Sequence, residues 1–177
     1  LMTGKILGQL GVGLSILVIY SAMGIAALVS FALLGFVELW LIFYLVIFFL
    51  IAYFTVGAFM AAIGSAVNEL REAQSLMTPV TMMLVIPWLL WMPISRDPNS
   101  LFSTITSFIP PINSFVMLLR MTSTSPPPMW QVWLSIAIGA VAVWLALKGA
   151  AKVFRIGLLM HGKAPNFATL IRWIRMA

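Results

Sequence analysis

The sequence has 177 residues, 63% of them hydrophobic and only 8% charged, with a formal net charge of +6. Soluble domains average about 45–50% apolar and about 25% charged residues, so a water-soluble globular domain is excluded and the chain reads as an integral membrane protein. Excess Lys and Arg in such a chain marks cytoplasmic loops rather than a nucleic-acid partner. The absence of cysteine excludes disulfides, thiolate metal sites and thiol nucleophiles.

Residues 1–9 form a short amphipathic stretch with Lys5 as its only charge, read as a cytoplasmic surface segment. Gly4-Lys5 is no phosphate-binding loop, because Ile6 follows the lysine and the upstream glycine is missing. The chain opens on Leu1 without a signal-peptide pattern and is read as a fragment lacking its N-terminal part. A first charge-free span is expected over about 10–34, long enough for a bilayer that needs about 20 apolar residues. Gly35 to Glu38 reads as a tight turn with an interfacial carboxylate. A second span is expected over about 39–64, opening with Trp40, Phe43 and Tyr44 at headgroup level. Its last turns hold Gly57, Ala58, Ala61, Ala62, Gly64 and Ser65, a face small enough for close helix approach.

A polar island follows, Ser65 to Ser75, holding Glu69, Arg71 and Glu72. Three charges at mid-bilayer would cost about 2.5–3.5 kcal/mol each, so the island belongs at a membrane surface or in a protein-lined site. Carboxylates three apart share one helix face and can bind a metal or relay protons. With no histidine beside them and Arg71 adjacent, the reading taken is a solvated junction whose acids suit the first turn of the next helix. That helix, the third span, is expected over about 76–92 and is interrupted by Pro79 and Pro87. Pro93 to Asn99 reads as a polar turn. Two apolar halves, within about 100–121 and split by Pro110-Pro111, are each too short to cross a bilayer and read as a re-entrant helical hairpin. The last span is expected over about 129–147, with Trp130, Trp133 and Trp144 near its ends. Residues 151–177 read as a basic amphipathic tail, where the lone His161 is a surface residue.

Three junctions then fall on one side and carry Lys5, Arg71, Lys148, Lys152, Arg155, Lys163, Arg172 and Arg175, against Arg96 and Arg120 on the other. The positive-inside rule places the first group in the cytoplasm. The expected fold is all-α: a polytopic membrane protein with four full transmembrane helices, a re-entrant hairpin before the last, and both ends cytoplasmic.

Three stretches resemble the C-terminal half of an ATP-binding-cassette exporter permease of the type-2 family, close to its sodium-extrusion and drug-efflux members. Leu1-Met-Thr-Gly-Lys-Ile-Leu-Gly8 is similar to the segment before the third family span. Asn68-Glu-Leu-Arg-Glu-Ala-Gln-Ser-Leu-Met-Thr-Pro79 is similar to the opening of the fifth. Phe154-Arg-Ile-Gly-Leu-Leu-Met-His-Gly-Lys163, with Ile171-Arg-Trp-Ile-Arg175, is similar to the tail. The family's first two spans and outer domain have no counterpart in these residues. The resemblance implies a permease in the bacterial or archaeal plasma membrane, paired with a second copy or paralogue in contact with membrane lipid. It implies that ATP is bound and hydrolysed on a separate cytoplasmic ATPase subunit, with no cofactor and no enzymatic activity in this chain. It also implies an ATPase contact near Gly4 and Lys5 and a cytoplasmic gate at Glu69, Arg71 and Glu72. The substrate is not legible, whether ion, drug or lipid-like molecule. Rival readings are a membrane-embedded enzyme, for which no nucleophile–base pair is in place, an ATP-independent carrier or channel, and a structural subunit.

Overall fold

The computed structural model describes residues 11–12, 14–16, 18–23, 39–67 and 70–157, and all its regular structure there is helical. The chain divides into two compact units, Leu1–Tyr44 and Leu45–Ala177. In the first, residues 11–12, 14–16 and 18–23 are helical, and Ser15 Oγ donates to the Gly11 carbonyl at 2.8 Å. The expected first span lies partly there; its residues 10, 13, 17 and 24–34 and the turn at Gly35–Glu38 lie outside the described residues. Trp40 and Phe43 each meet Tyr44 edge-to-face at 5.6 Å.

The named helices are α1 (Leu39–Ala66), α2 (Leu70–Arg96), α3 (Leu101–Thr106), α4 (Asn113–Met121) and α5 (Met129–Gly157). Among the described residues three helices are long and apolar enough to cross a membrane: α1, α2 and α5. The protein is a multi-pass membrane protein. Each long helix exceeds the expected span: α2 begins at Leu70 and runs through Pro79, Pro87 and Pro93 to Arg96, and α5 continues ten residues past Leu147. The reason is that hydropathy marks the bilayer, whereas helices continue wherever good formers follow. Leu70 to Ser75 and Ala146 to Arg155 are rich in Leu, Ala, Glu, Gln, Lys and Arg. The expected polar turn from Pro93 is therefore corrected: Pro93 to Arg96 is helix, and the turn begins at Asp97, whose N–H reaches the Pro93 carbonyl at 3.3 Å. Trp144 likewise lies mid-helix rather than at a helix end.

Three exposed hydroxyls on α2 donate within the helix: Ser75 to the Glu72 carbonyl, Thr78 to Gln74 and Thr81 to Met77, at 2.8, 3.0 and 3.0 Å, so they need no partner outside it. A hydrophobic cluster of Ile63, Ala66, Leu76, Val80 and Val153 joins the C-terminal end of α1 to the start of α2 and the last turns of α5. Most remaining large side chains on α2 and α5, such as Trp88, Leu89, Trp130 and Trp133, are exposed. That suits helices whose solvent is lipid.

Between α2 and α5 the chain folds into the helical pair α3–α4, joined through a cis Pro110–Pro111 peptide. Ser100 caps α3 by accepting from the Ser103 N–H at 3.1 Å, as short polar N-caps do. The helix α4 packs against α2, α3 and α5.

Candidate functional site

One charged side chain organises this half of the fold. Arg120, near the end of α4, is fully buried. Its Nε donates to the Pro98 carbonyl at 2.6 Å and its Nη1 to Ser107 Oγ at 2.8 Å. Its Nη2 reaches Asn99 Oδ1, Thr104 Oγ1 and Gln131 Oε1 at 3.2, 3.4 and 2.8 Å. Every acceptor is a neutral oxygen. The guanidinium's fixed fork of donors lets one residue tie together the α2–α3 turn, α3, α4 and the start of α5. Arginine stays protonated in proteins, so the hub keeps a buried positive charge compensated by dipoles alone.

The hub continues through hydroxyls. Ser107 Oγ donates to the Ser103 carbonyl at 2.6 Å, and Ser103 Oγ to the Asp97 carbonyl at 2.8 Å. Ser135 Oγ donates to the Ser107 carbonyl at 2.9 Å. Asn113, at the start of α4, donates through Nδ2 to the Ser135 carbonyl at 3.1 Å and to its Oγ at 3.3 Å. Asn113 Oδ1 and Ser114 Oγ are buried with no protein partner. Beside this layer α5 passes close to α1 and α4. A Cβ on Gly139 would lie 2.8 Å from Ile51 Cγ2 and 3.2 Å from Asn113 Nδ2, so only glycine fits without displacing a neighbour.

Beyond Gly139 the packing opens. A cavity of about 570 Å³ lies between α1, α2 and α5, closed on one side by Pro110 and Pro111. Its wall includes Ala58 and Ala62 of α1 and Ala142, Ala146 and Gly149 of α5. The small face of α1 that suggested close helix approach therefore borders a void. A Cβ at Gly57 or Gly64 would meet nothing within 4 Å, and the close approach is at Gly139 instead.

Of the residues singled out from the sequence, Arg71 is exposed and Glu72 is half-buried in the first turn of α2, the place where a carboxylate suits the helix dipole. Gly4, Lys5 and Glu69 lie outside the described residues, as does the tail from 158 onward. Lys148 Nζ sits 3.7 Å from the Trp144 ring centroid, a cation–π contact. Among the described residues no group of three or more His, Cys, Asp or Glu could hold a metal ion. Arg120, expected beside Arg96 among the charges of the outer side, is a buried hub rather than a loop charge. The signal for it was a lone arginine in an apolar nine-residue helix, preceded by a run of neutral acceptors at Asn99, Ser100, Ser103, Thr104 and Ser107.

Comparison with known proteins bears on this arrangement. The family model described as ABC-2 family transporter protein matches residues 1–148. An uncharacterized protein, YhaP, of Bacillus subtilis (strain 168) is 29% identical over 117 residues, covering 66% of this chain and 28% of its own length. An uncharacterized protein, MJ1024, of Methanocaldococcus jannaschii is 27% identical over 174 residues, covering 98% of this chain and 42% of its own length. The chain thus spans less than half the length of these relatives. No solved structure matches.

Proposed function

The chain belongs to the ABC-2 family of transporter proteins, and on that premise we propose that it is the membrane-spanning permease portion of an ATP-driven exporter. The observation that carries the reading furthest is the depth of the α3–α4 pair. Its tip, Pro110–Pro111, shares a cavity with Ala142, thirteen residues and about 20 Å into α5 at 1.5 Å per residue. The same cavity reaches Thr55, about 16 Å short of the Ala66 end of α1 by the same rise. In a hydrocarbon core about 30 Å thick, a tip at that level would lie near the middle, reached from one side. This supports a re-entrant hairpin, with the expected first span at 10–34 as the fourth crossing.

In this reading the Arg120 end faces outward and the Ala66 and Gly157 ends face the cytoplasm, in the orientation that the lysines and arginines favour. The hub holds the hairpin between α2 and α5 and closes the outer side. Two such permease halves pair in the plasma membrane. ATPase subunits dock on the cytoplasmic ends, near Gly4 and Lys5, and Glu69, Arg71 and Glu72 line a cytoplasmic gate. ATP does work on the permease only if the ATPase binds its inward- and outward-facing states with different affinity. The chain itself carries out no hydrolysis.

The test uses the full-length parent chain co-expressed with its neighbouring ATPase. Stoichiometric co-purification with ATP hydrolysis, lost in Lys5→Glu, is the expected result. Transport that persists without ATP under an imposed ion gradient, with no ATPase retained, would replace the proposal with a secondary carrier.

A further inference from the structure

We infer that the cavity between α1, α2 and α5 is a binding site for the hydrocarbon chain of a membrane lipid or lipid-like amphiphile. As the substrate chemistry of the permease, and in the membrane level given to the hairpin tip, the inference rests on the reading above; the size and lining of the site need only the multi-pass fold.

Three observations support it. The first is size. At about 570 Å³ the cavity lies within the range of ligand pockets, about 300–1,000 Å³. The void is also written into the sequence, because alanine and glycine occupy both facing walls at Ala58, Ala62, Ala142, Ala146 and Gly149. Leucines at those positions would fill it.

The second is chemistry. No charged side chain lines the cavity, and Thr55 is its one side chain with a hydroxyl. That hydroxyl is already committed to the Ile51 carbonyl at 2.7 Å. A hydrated ion, a sugar or a phosphate placed here would lose its water without gaining partners, a penalty of several kcal/mol or about 2–7 kcal/mol per polar group. A hydrocarbon loses nothing there, and Phe59, Met83 and Leu145 at the exposed mouth of the cavity leave it open to a guest from the lipid side.

The third is length and level. Along α5 the wall runs from Ala142 to Val153, eleven residues or about 16 Å. That is about half of a 30 Å hydrocarbon core, the thickness of one leaflet. Pro110–Pro111 closes the end near mid-membrane, and the walls run from there towards the Ala66 end of α1. An acyl chain entering from the leaflet on that side would extend along the cavity and stop at the hairpin tip. A compact, flat apolar compound would leave much of that length empty.

The experiment places the full-length chain in lipid nanodiscs with a phospholipid carrying a mid-chain photoreactive diazirine, and maps the adducts by peptide mass spectrometry. Adducts are expected on α1 around Ala58–Ala62 and on α5 around Ala142–Gly149, in excess over those at Leu89 on the exposed face of α2. Ala146→Phe, which fills the void, should reduce the cavity adducts to the Leu89 level while leaving Leu89 labelling unchanged. Ala142→Leu serves as a second, gentler filler should the first variant fail to fold. Cavity labelling that merely equals Leu89, or that survives both fillers, overturns the inference. So does crosslinking from a diazirine-bearing amino acid at the same cavity positions that captures another segment of the full-length chain or a second copy instead of lipid. Displacement of the lipid adducts by a short alkane but not by a flat aromatic dye of equal volume is expected; the reverse preference would contradict the acyl-chain assignment. Labelling does not depend on ATP, so loss of ATP-driven transport would sink the permease reading without touching this result.

Discussion

The Arg120 hub and the apolar cavity lie within one unit of the fold, a few turns apart along α5, and solve opposite problems. The hub buries a charge and meets it with five neutral oxygens drawn from turns, a short helix and the start of α5. The cavity buries no charge and leaves space that no side chain fills. Around the hub each polar group constrains its neighbours, because an unmet donor or acceptor in a low-dielectric interior is expensive. Around the cavity nothing directional constrains the walls. One end therefore holds a fixed geometry, and the other leaves room that the proposed hydrocarbon guest would fill.

That contrast can be broken by substitution, with stability read as denaturant unfolding in detergent. The largest effect is expected at Arg120→Met. It strips the donor from several buried or half-buried oxygens at about 1–3 kcal/mol each, for a loss of about 3–5 kcal/mol. Arg120→Lys should recover part of this, since the ammonium keeps the charge but lacks the planar fork; full recovery would mean that charge alone matters. Next is Gly139→Leu, where overpacking against Ile51 and Asn113 should cost about 1–3 kcal/mol. Asn113→Ala should cost less, about 1 kcal/mol, because it loses the bonds to Ser135 but also removes the unpartnered Oδ1. The smallest effect is expected at Ala146→Leu. A methyl-bearing side chain entering open space should leave stability unchanged or raise it by up to about 1 kcal/mol, as cavity filling commonly does. A severe loss there would mean that the void is not open in the protein.

The same contrast explains what the sequence could tell. Long apolar runs announced α1, α2 and α5, because the bilayer demands them. An acid in the first turn of α2, Glu72, followed from the polar island, although the span itself was expected only from about 76. The two short helices α3 and α4 were legible as apolar pieces, each too short to span, on either side of Pro110-Pro111. Hydropathy could not show that α2 continues through Pro93, since a proline's neighbours decide whether its lost hydrogen bond breaks the helix. Nor could it show the burial of Arg120, because its partners lie 11 to 22 residues away and converge only in three dimensions. The small residues of α1 were visible, but small residues make equally good close contacts and good voids. Which of the two they make depends on what the facing helix carries, and Gly139 and Ala146, two turns apart on α5, give opposite answers.

The central claim is that the α3–α4 hairpin enters the membrane from the Arg120 end and stops about halfway. It is tested most directly with single cysteines in the full-length chain, at Ile109 beside the hairpin tip and at Thr124 in the exposed loop before α5. Intact cells would be treated with a membrane-impermeant maleimide. The account expects Thr124→Cys to be labelled from outside and Ile109→Cys to stay unlabelled until the protein is unfolded. Equal, rapid labelling of both positions would make the hairpin a surface loop and contradict the claim.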